Sequence, residues 1–235
     1  MVAYAISLTS IPPRYHRLGS VLCSLLAQDP APERVMLCLP RRPARFDPAP
    51  VPELPQCVEL LRVAQDEGPA TKVLPAARRL AGRVDRLIYC DDDWIMPPDW
   101  AGHLLRAGTP DTAVAGAGFD VHRLKRRSHR AADPALCDIA QGYAGVAIRP
   151  DWLAGTECAA PPEAWAVDDI WLSAQLARQG IPIRLAHDAR AGMRLAFEDV
   201  HALQDADIGG LQRHAANLAC VATVTARYGL WPPRG

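Results

Sequence analysis

The sequence predicts an α/β protein built on a mostly parallel central sheet flanked by helices. Two observations carry this expectation. Apolar strand-like runs alternate with segments of helical periodicity through the first half of the chain, the pattern of consecutive βαβ units. The alternation also resumes after its one long interruption, so 235 residues, 49% of them apolar, read as a single domain with a sizeable core.

Taken in order, "AYAISL" reads as a first strand. After the loop "TSIPP", Leu18, Val21, Leu22, Leu25 and Leu26 recur at helical spacing, and "DPAPE" stops that helix. "RVMLCL" is a second strand. "PRRPARFDPAPVPELPQ" is too rich in proline to pair centrally in a sheet and is expected to be a surface loop. "VELLRV" follows as a strand, "TKVLPAARRLAG" as a helix ending at Gly82, and "DRLIYC" as another strand. In the second half "TAVAGAGF" and "IPIRLAH" look like strands, "GYAGVAIRPDWL" like a short strand running into a turn, and "DDIWLSAQLARQG" like a helix with a glycine stop. "DVHRLKRRSHRAADPAL" has no periodicity and reads as an excursion. A helical pattern runs through Leu211, Leu218, Val221 and Val224, and no internal repeat is present.

Composition excludes some classes of function. Lysine plus arginine and aspartate plus glutamate number 26 each, so no global charge favours wholesale nucleic-acid binding. The basic run at 122–130, "HRLKRRSHR", lacks the interleaved aromatics of a nucleic-acid platform. It suits a solvated loop, a phosphorylated or lipid-linked acceptor, or peripheral contact with an anionic membrane. The seven cysteines are scattered without a C-x-x-C pair, which fits reduced thiols in a cytoplasmic protein. The N-terminal apolar run is too short for a signal peptide and lacks a basic start, and no run approaches the length of a membrane span.

The chemically informative stretch is "DRLIYCDDDWIMPPDW", 85–100. An apolar strand ends there in three adjacent aspartates, whose mutual repulsion calls for a compensating charge such as a divalent cation. In open α/β sheets ligands bind outside the carboxyl ends of the strands. "SLTS" and "VAQDEGP" mark two further strand ends, so three of them are expected to face one site.

"LIYCDDDWIMPPDW" resembles the D-x-D segment of GT-A glycosyltransferases, of the small bacterial inverting type. The resemblance covers Ile6 to about Gly180 with motif order and spacing kept. It implies a Rossmann-type GT-A fold, with about 1–118 as a nucleotide-binding half and about 119–235 as an acceptor and catalytic half. It also implies a Mn²⁺ or Mg²⁺ ion on the donor diphosphate, with Asp93 as its best ligand and Asp91 or Asp92 near the ribose or the metal. Independently of the name, hard cations take oxygen ligands, and a diphosphate leaving group needs its charge neutralised.

Other segments take roles from the same resemblance. "SLTSIPPR" suggests Thr9 and Arg14 as nucleotide contacts, against an ordinary helix entry. "DEGPATK" suggests Asp66 at the base or ribose and Lys72 at the diphosphate, against a turn capped by Thr71. "VDDIW" resembles the acidic motif that supplies the base: Asp169 would take the acceptor's proton and Asp168 support it, although both also complement a helix dipole. In "QGYAGVAIRPDWL", Gly142 and Gly145 would allow close backbone approach and Tyr143 would pack on a sugar, unless it is a core aromatic. His187 and His201 are weaker candidates for an added metal ligand. The expected activity is transfer of a sugar from a nucleotide-diphosphate donor, a UDP-sugar first, to an acceptor that is a glycan, a lipid-linked saccharide, a peptide or a small metabolite. The alternatives are a haloacid-dehalogenase-like phosphatase, which also places D-x-D after a strand, and a nucleotide-sugar binding module without turnover.

Overall fold

A strand with no polar alternation has to be covered on both faces, and Tyr4–Leu8 (β1) is buried at every position. The computed structural model describes residues 2–51, 53–130, 132–198 and 212–234. In it β1 lies between β2 (Arg34–Pro40) and β4 (Arg86–Tyr89), with β3 (Val58–Val63) outside β2, and all four are parallel. The remaining strands are β5 (Trp94–Ile95), β6 (Ala113–Ala115), β7 (Gly118–Phe119), β8 (Leu136–Cys137), β9 (Ile139–Ala140), β10 (Val146–Ile148), β11 (Ile183–Leu185) and β12 (Arg194–Leu195). The main sheet has eight strands in the order β3-β2-β1-β4-β10-β6-β11-β8.

Side-chain alternation divides the core between the two sheet faces. Tyr4, Ile6 and Leu8 join Val35, Leu37 and Ile88 on one face. That face is covered by α1 (Leu18–Leu26) through Leu18, Val21, Leu22 and Leu25 and by α3 (Trp100–Ala107) through Trp100, Ala101 and Leu104. Ala5, Met36, Cys38, Leu87 and Tyr89 point the other way, onto Val73, Leu74, Ala76, Ala77 and Leu80 of α2 (Leu74–Leu80) and its entry, and onto Leu172 and Leu176 of α4 (Asp168–Arg178). The opposite side of α4 packs Ile170, Trp171 and Ala174 against Cys220, Val221 and Val224 of α5 (Arg213–Tyr228).

Most predicted elements form where periodicity placed them. Among its described residues the proline-rich stretch contains no strand between β2 and β3, since proline cannot donate to a ladder. Two differences are informative. The α2 segment begins at Leu74, three residues after the expected start, because Gly68–Lys72 winds first as a 3-10 turn. The α3 helix was not expected, although Trp100, Ala101 and Leu104 give it an apolar face. Each of the seven cysteines is free, with Cys23 and Cys57 exposed and the others buried; burial pushes the Cys38 and Cys220 thiols up to about 12. No helix among the described residues is long and apolar enough to cross a membrane.

The feature that shapes the site is the direction of β10, which runs antiparallel between β4 and β6 with Val146 opposite Tyr89. Residues just before Val146 therefore sit beside residues just after Tyr89. That junction requires Gly145, whose φ is +87° and on which a Cβ would lie 2.2 Å from Cζ2 of Trp100. The indole is fully buried and donates to the Ala144 carbonyl at 2.8 Å. Gly145→Ala is expected to cost about 2 kcal/mol or more, combining positive φ with overpacking. Unchanged urea midpoints for variant and parent would show that the junction relaxes freely.

Candidate functional site

Three adjacent aspartates leave the carboxyl end of β4, and the fold gives each a different environment. Asp92 turns inward, 3% exposed, and accepts from the Ser10 hydroxyl and the Arg14 guanidinium. Burial raises its pKa, opposed by Arg14 and the Ser10 hydrogen bond. Asp91 stays about one-third exposed and accepts from the Lys72 ammonium at 2.6 Å. Asp93 keeps a buried Oδ1 that has no hydrogen-bond partner among the described residues. Burial, and then the charges of Asp91 and Asp92, push its carboxyl up to about 7.

The Asp93 oxygen is the signature of a missing positive partner, since a buried carboxylate oxygen without one is costly. Asp93 and Asp91 both line the central cavity. They fit a hard divalent cation of the Mg²⁺ or Mn²⁺ kind, which takes one or two carboxylates and completes its shell with phosphate and water. Among the described residues no group of three or more histidine, cysteine, aspartate or glutamate side chains could hold a metal ion alone, so an all-protein cage is not what this site offers. His187 is exposed on a short helical turn (His187–Arg190) and is not among the lining residues. His201 lies outside the described residues.

Lys72 joins the aspartates to the start of α4. Its ammonium, 3% exposed, lies 2.6 Å from Asp91 Oδ1 and 2.8 Å from Asp168 Oδ2. Burial alone would lower its pKa, but Asp168, Asp91 and Asp169 together hold it well above the ordinary lysine range. Asp168 is thus buried and neutralised. Asp169 is partly exposed, and its Oδ1 accepts the Gly142 amide at 2.9 Å. Burial, followed by the Asp168 charge and against the pull of Lys72, raises the Asp169 carboxyl to about 7. A carboxylate that titrates near neutrality, as Asp169 does, is suited to accepting a proton.

The remaining residues singled out from the sequence take varied places. Thr9 lines the cavity, but its hydroxyl donates to the Cys38 carbonyl at 2.7 Å. Asp66 also lines it and accepts from the amides of Ala44 at 2.7 Å and Gly68 at 2.8 Å, tying the proline-rich loop to the loop after β3. Arg14 and Lys72 face the cavity while engaged with Asp92 and Asp91. Gly142 is buried, and a Cβ there would lie 2.6 Å from the Lys72 ammonium. Gly145 faces Trp100. Tyr143 is in the cavity wall, 5.4 Å from the Trp94 ring and under the Arg190 guanidinium at 5.8 Å. In the 122–130 run, His122, Arg123, Lys125, Arg127 and His129 are exposed, and Arg130 pairs with Asp120 and Asp138.

The cavity, about 510 Å³, also draws on residues that sequence reasoning passed over. Pro43, Arg45 and Phe46 come from the proline-rich loop, and Arg190, Leu195 and Arg213 from the second half. For the loop a signal existed: it follows the carboxyl end of a parallel strand, where ligand crevices form. Nothing local marked Arg190 or Leu195. They reach the rim because β12 pairs with β5 and the Ala196 amide donates to the Asp93 carbonyl at 2.8 Å.

No family model and no curated protein matches the chain in sequence. Solved structures do match in shape. A mycobacterial protein aligns with a TM-score of 0.53 at 15% identity, covering 97% of this chain and 76% of its own. Glucosyl-3-phosphoglycerate synthase from Mycobacterium tuberculosis, crystallised with Mg²⁺ and uridine diphosphate, aligns with a TM-score of 0.51 at 12% identity, covering 97% and 80%. The fold is of the GT-A type. The S. aureus TarS fragment 1-349 has a TM-score of 0.49 at 10% identity over 79% of this chain, which spans 58% of that fragment. Within the GT-A fold the aspartates stand after a central strand, as the resemblance implied, with the sheet more mixed than simple alternation suggests: four parallel and three antiparallel strand pairs in the main sheet.

Asp93 carries a pH-dependent strain on stability. Its carboxyl titrates at about 7 in the folded chain and near 3.9 when unfolded. The folded chain thus binds the extra proton between about pH 4 and 7, and stability falls as pH rises through that window. In chelator, Asp93→Asn is expected to melt above the parent at pH 8 and level with it at pH 4. Equal melting temperatures at pH 8 would mean that Asp93 is already compensated by the protein.

Proposed function

We propose that this chain is a metal-dependent, inverting glycosyltransferase that transfers a sugar from a nucleotide-diphosphate donor, a UDP-sugar, to an acceptor hydroxyl. The observation that carries the reading is the pairing of two unusual carboxylates across one cavity. Asp93 has an orphaned buried oxygen, and Asp169 is held by the Gly142 amide with its pKa raised to about 7. The GT-A fold supports it, because the neighbour in complex with Mg²⁺ and uridine diphosphate shares that fold over 97% of this chain. A phosphatase reading is weaker here: it needs the first aspartate as a free nucleophile, and Asp91 is paired with Lys72 at 2.6 Å.

In the proposed division of labour, 1–118 forms the nucleotide half, where the ends of β1, β3 and β4 meet, and 119–235 carries the acceptor and the base in one domain. Asp169 accepts the proton of the acceptor hydroxyl as its oxygen attacks the anomeric carbon. The nucleotide diphosphate departs from the opposite face, so configuration inverts. A divalent cation held by Asp93 and Asp91 supplies charge neutralisation for that leaving group. Lys72 engages Asp168 in an ion pair at 2.8 Å, which leaves the base role to its neighbour. Arg14, which the resemblance sets against the nucleotide, acts by holding Asp92.

Calorimetry with UDP and GDP, in Mn²⁺ and then in chelator, tests the donor. Metal-dependent binding of UDP is expected, and it should disappear in Asp93→Ala. Failure of every nucleotide diphosphate to bind would remove the reading. Asp169→Asn is expected to keep UDP binding and lose transfer by about 10²- to 10⁴-fold, while transfer by the parent should fall as pH drops through about 7 and Asp169 protonates. Equal turnover by variant and parent would exclude Asp169 as the base.

A further inference from the structure

Charge bookkeeping around the cavity is uneven. Three of the cavity's carboxylates have cations of their own, Asp92 with Arg14 and Asp91 and Asp168 with Lys72. On the other wall two guanidinium groups, Arg190 and Arg213, line the same cavity, and neither forms an ion pair with a carboxylate among the described residues. Arg190 lies over the Tyr143 ring at 5.8 Å, within cation–π distance. Arg213 donates to the Ala166 carbonyl at 3.1 Å, which anchors it just ahead of Asp168 and Asp169.

We infer that Arg190 and Arg213 recognise an oxyanion on the acceptor, a phosphate or a carboxylate, held on the base side of the cavity. The inference rests on the glycosyltransferase reading and narrows its acceptor class. A guanidinium presents a planar fork of donors that matches both oxyanions. Both arginines enter from the second half of the chain, with Tyr143 and Asp169, rather than from the loops after β1, β2 and β3.

The test uses the full chain saturated with UDP and Mn²⁺, so that the diphosphate subsite is filled. Titration with inorganic phosphate, followed by calorimetry, is expected to give saturable binding, with acetate as a parallel arm that decides between phosphate and carboxylate. In Arg190→Gln/Arg213→Gln the anion should bind about tenfold or more weakly, the effect of losing charge-assisted hydrogen bonds, while UDP affinity stays at the parent value. Absence of saturable binding of either anion to the UDP-loaded parent, or equal binding by the double variant, would overturn the inference. A double variant that loses UDP instead would assign these arginines to the donor diphosphate and overturn it equally. Failure of the parent to bind UDP at all would be the failure of the nucleotide-sugar reading, and is read separately.

Discussion

One buried ammonium organises this molecule's chemistry. Lys72 closes the 3-10 turn Gly68–Lys72 and reaches Asp91 at the end of β4 and Asp168 at the start of α4. Two carboxylates drawn from segments far apart in sequence would repel one another without it, and an uncompensated buried charge costs about 3–5 kcal/mol. Such a triad is weak evidence for net stability, because desolvation offsets most of the Coulombic gain. Its value is geometric, since it admits one relative placement of the β4 end and the α4 start. Gly142 belongs to the same constraint, for any side chain there would occupy the place of the ammonium.

Backbone direction does the rest. Parallel β1, β2, β3 and β4 bring their carboxyl ends to a common edge, and antiparallel β10 delivers its amino-terminal approach to that edge. Segments arriving by both routes meet in one crevice, which is why Gly142 and Tyr143 are found beside aspartates some fifty positions earlier. The β5–β12 pairing adds a third contribution by clipping the segment that holds Arg190 onto the strand directly after Asp93.

Much of this was legible in the sequence because it depends on local signals. Apolar runs and helical spacing marked β1 to β4, α1, α4 and α5, and the strand-end rule brought Thr9, Asp66 and Asp91 to one cavity wall. What stayed hidden depends on pairing at a distance. The resemblance set Arg14 against the nucleotide and Lys72 against the diphosphate; the fold also gives each of them a carboxylate, and no local pattern reveals which aspartate a basic side chain will find. The α3 helix was overlooked for a different reason: Trp100–Ala107 is short and directly follows Pro97 and Pro98, although proline at the approach to a helix is compatible with its first turn. Phe46 and Arg45 were hidden by their company, since a proline-rich loop discloses its surface position but not which surface it covers.

The contrast among the five aspartates of the cavity centre shows why a motif alone underdetermines function. Asp91, Asp92 and Asp93 share one chemistry and consecutive positions, yet strand twist and burial turn one toward Lys72, one toward Ser10 and Arg14, and leave one with an oxygen that has no partner among the described residues. Asp168 and Asp169 divide in the same way across the first turn of α4. In both clusters some members are ion-paired, Asp91 and Asp168 with Lys72 and Asp92 with Arg14, whereas Asp93 and Asp169 have no ion pair among the described residues and carboxyls raised to about 7. Under the proposed function these two carboxylates are the ones given cation binding and proton transfer.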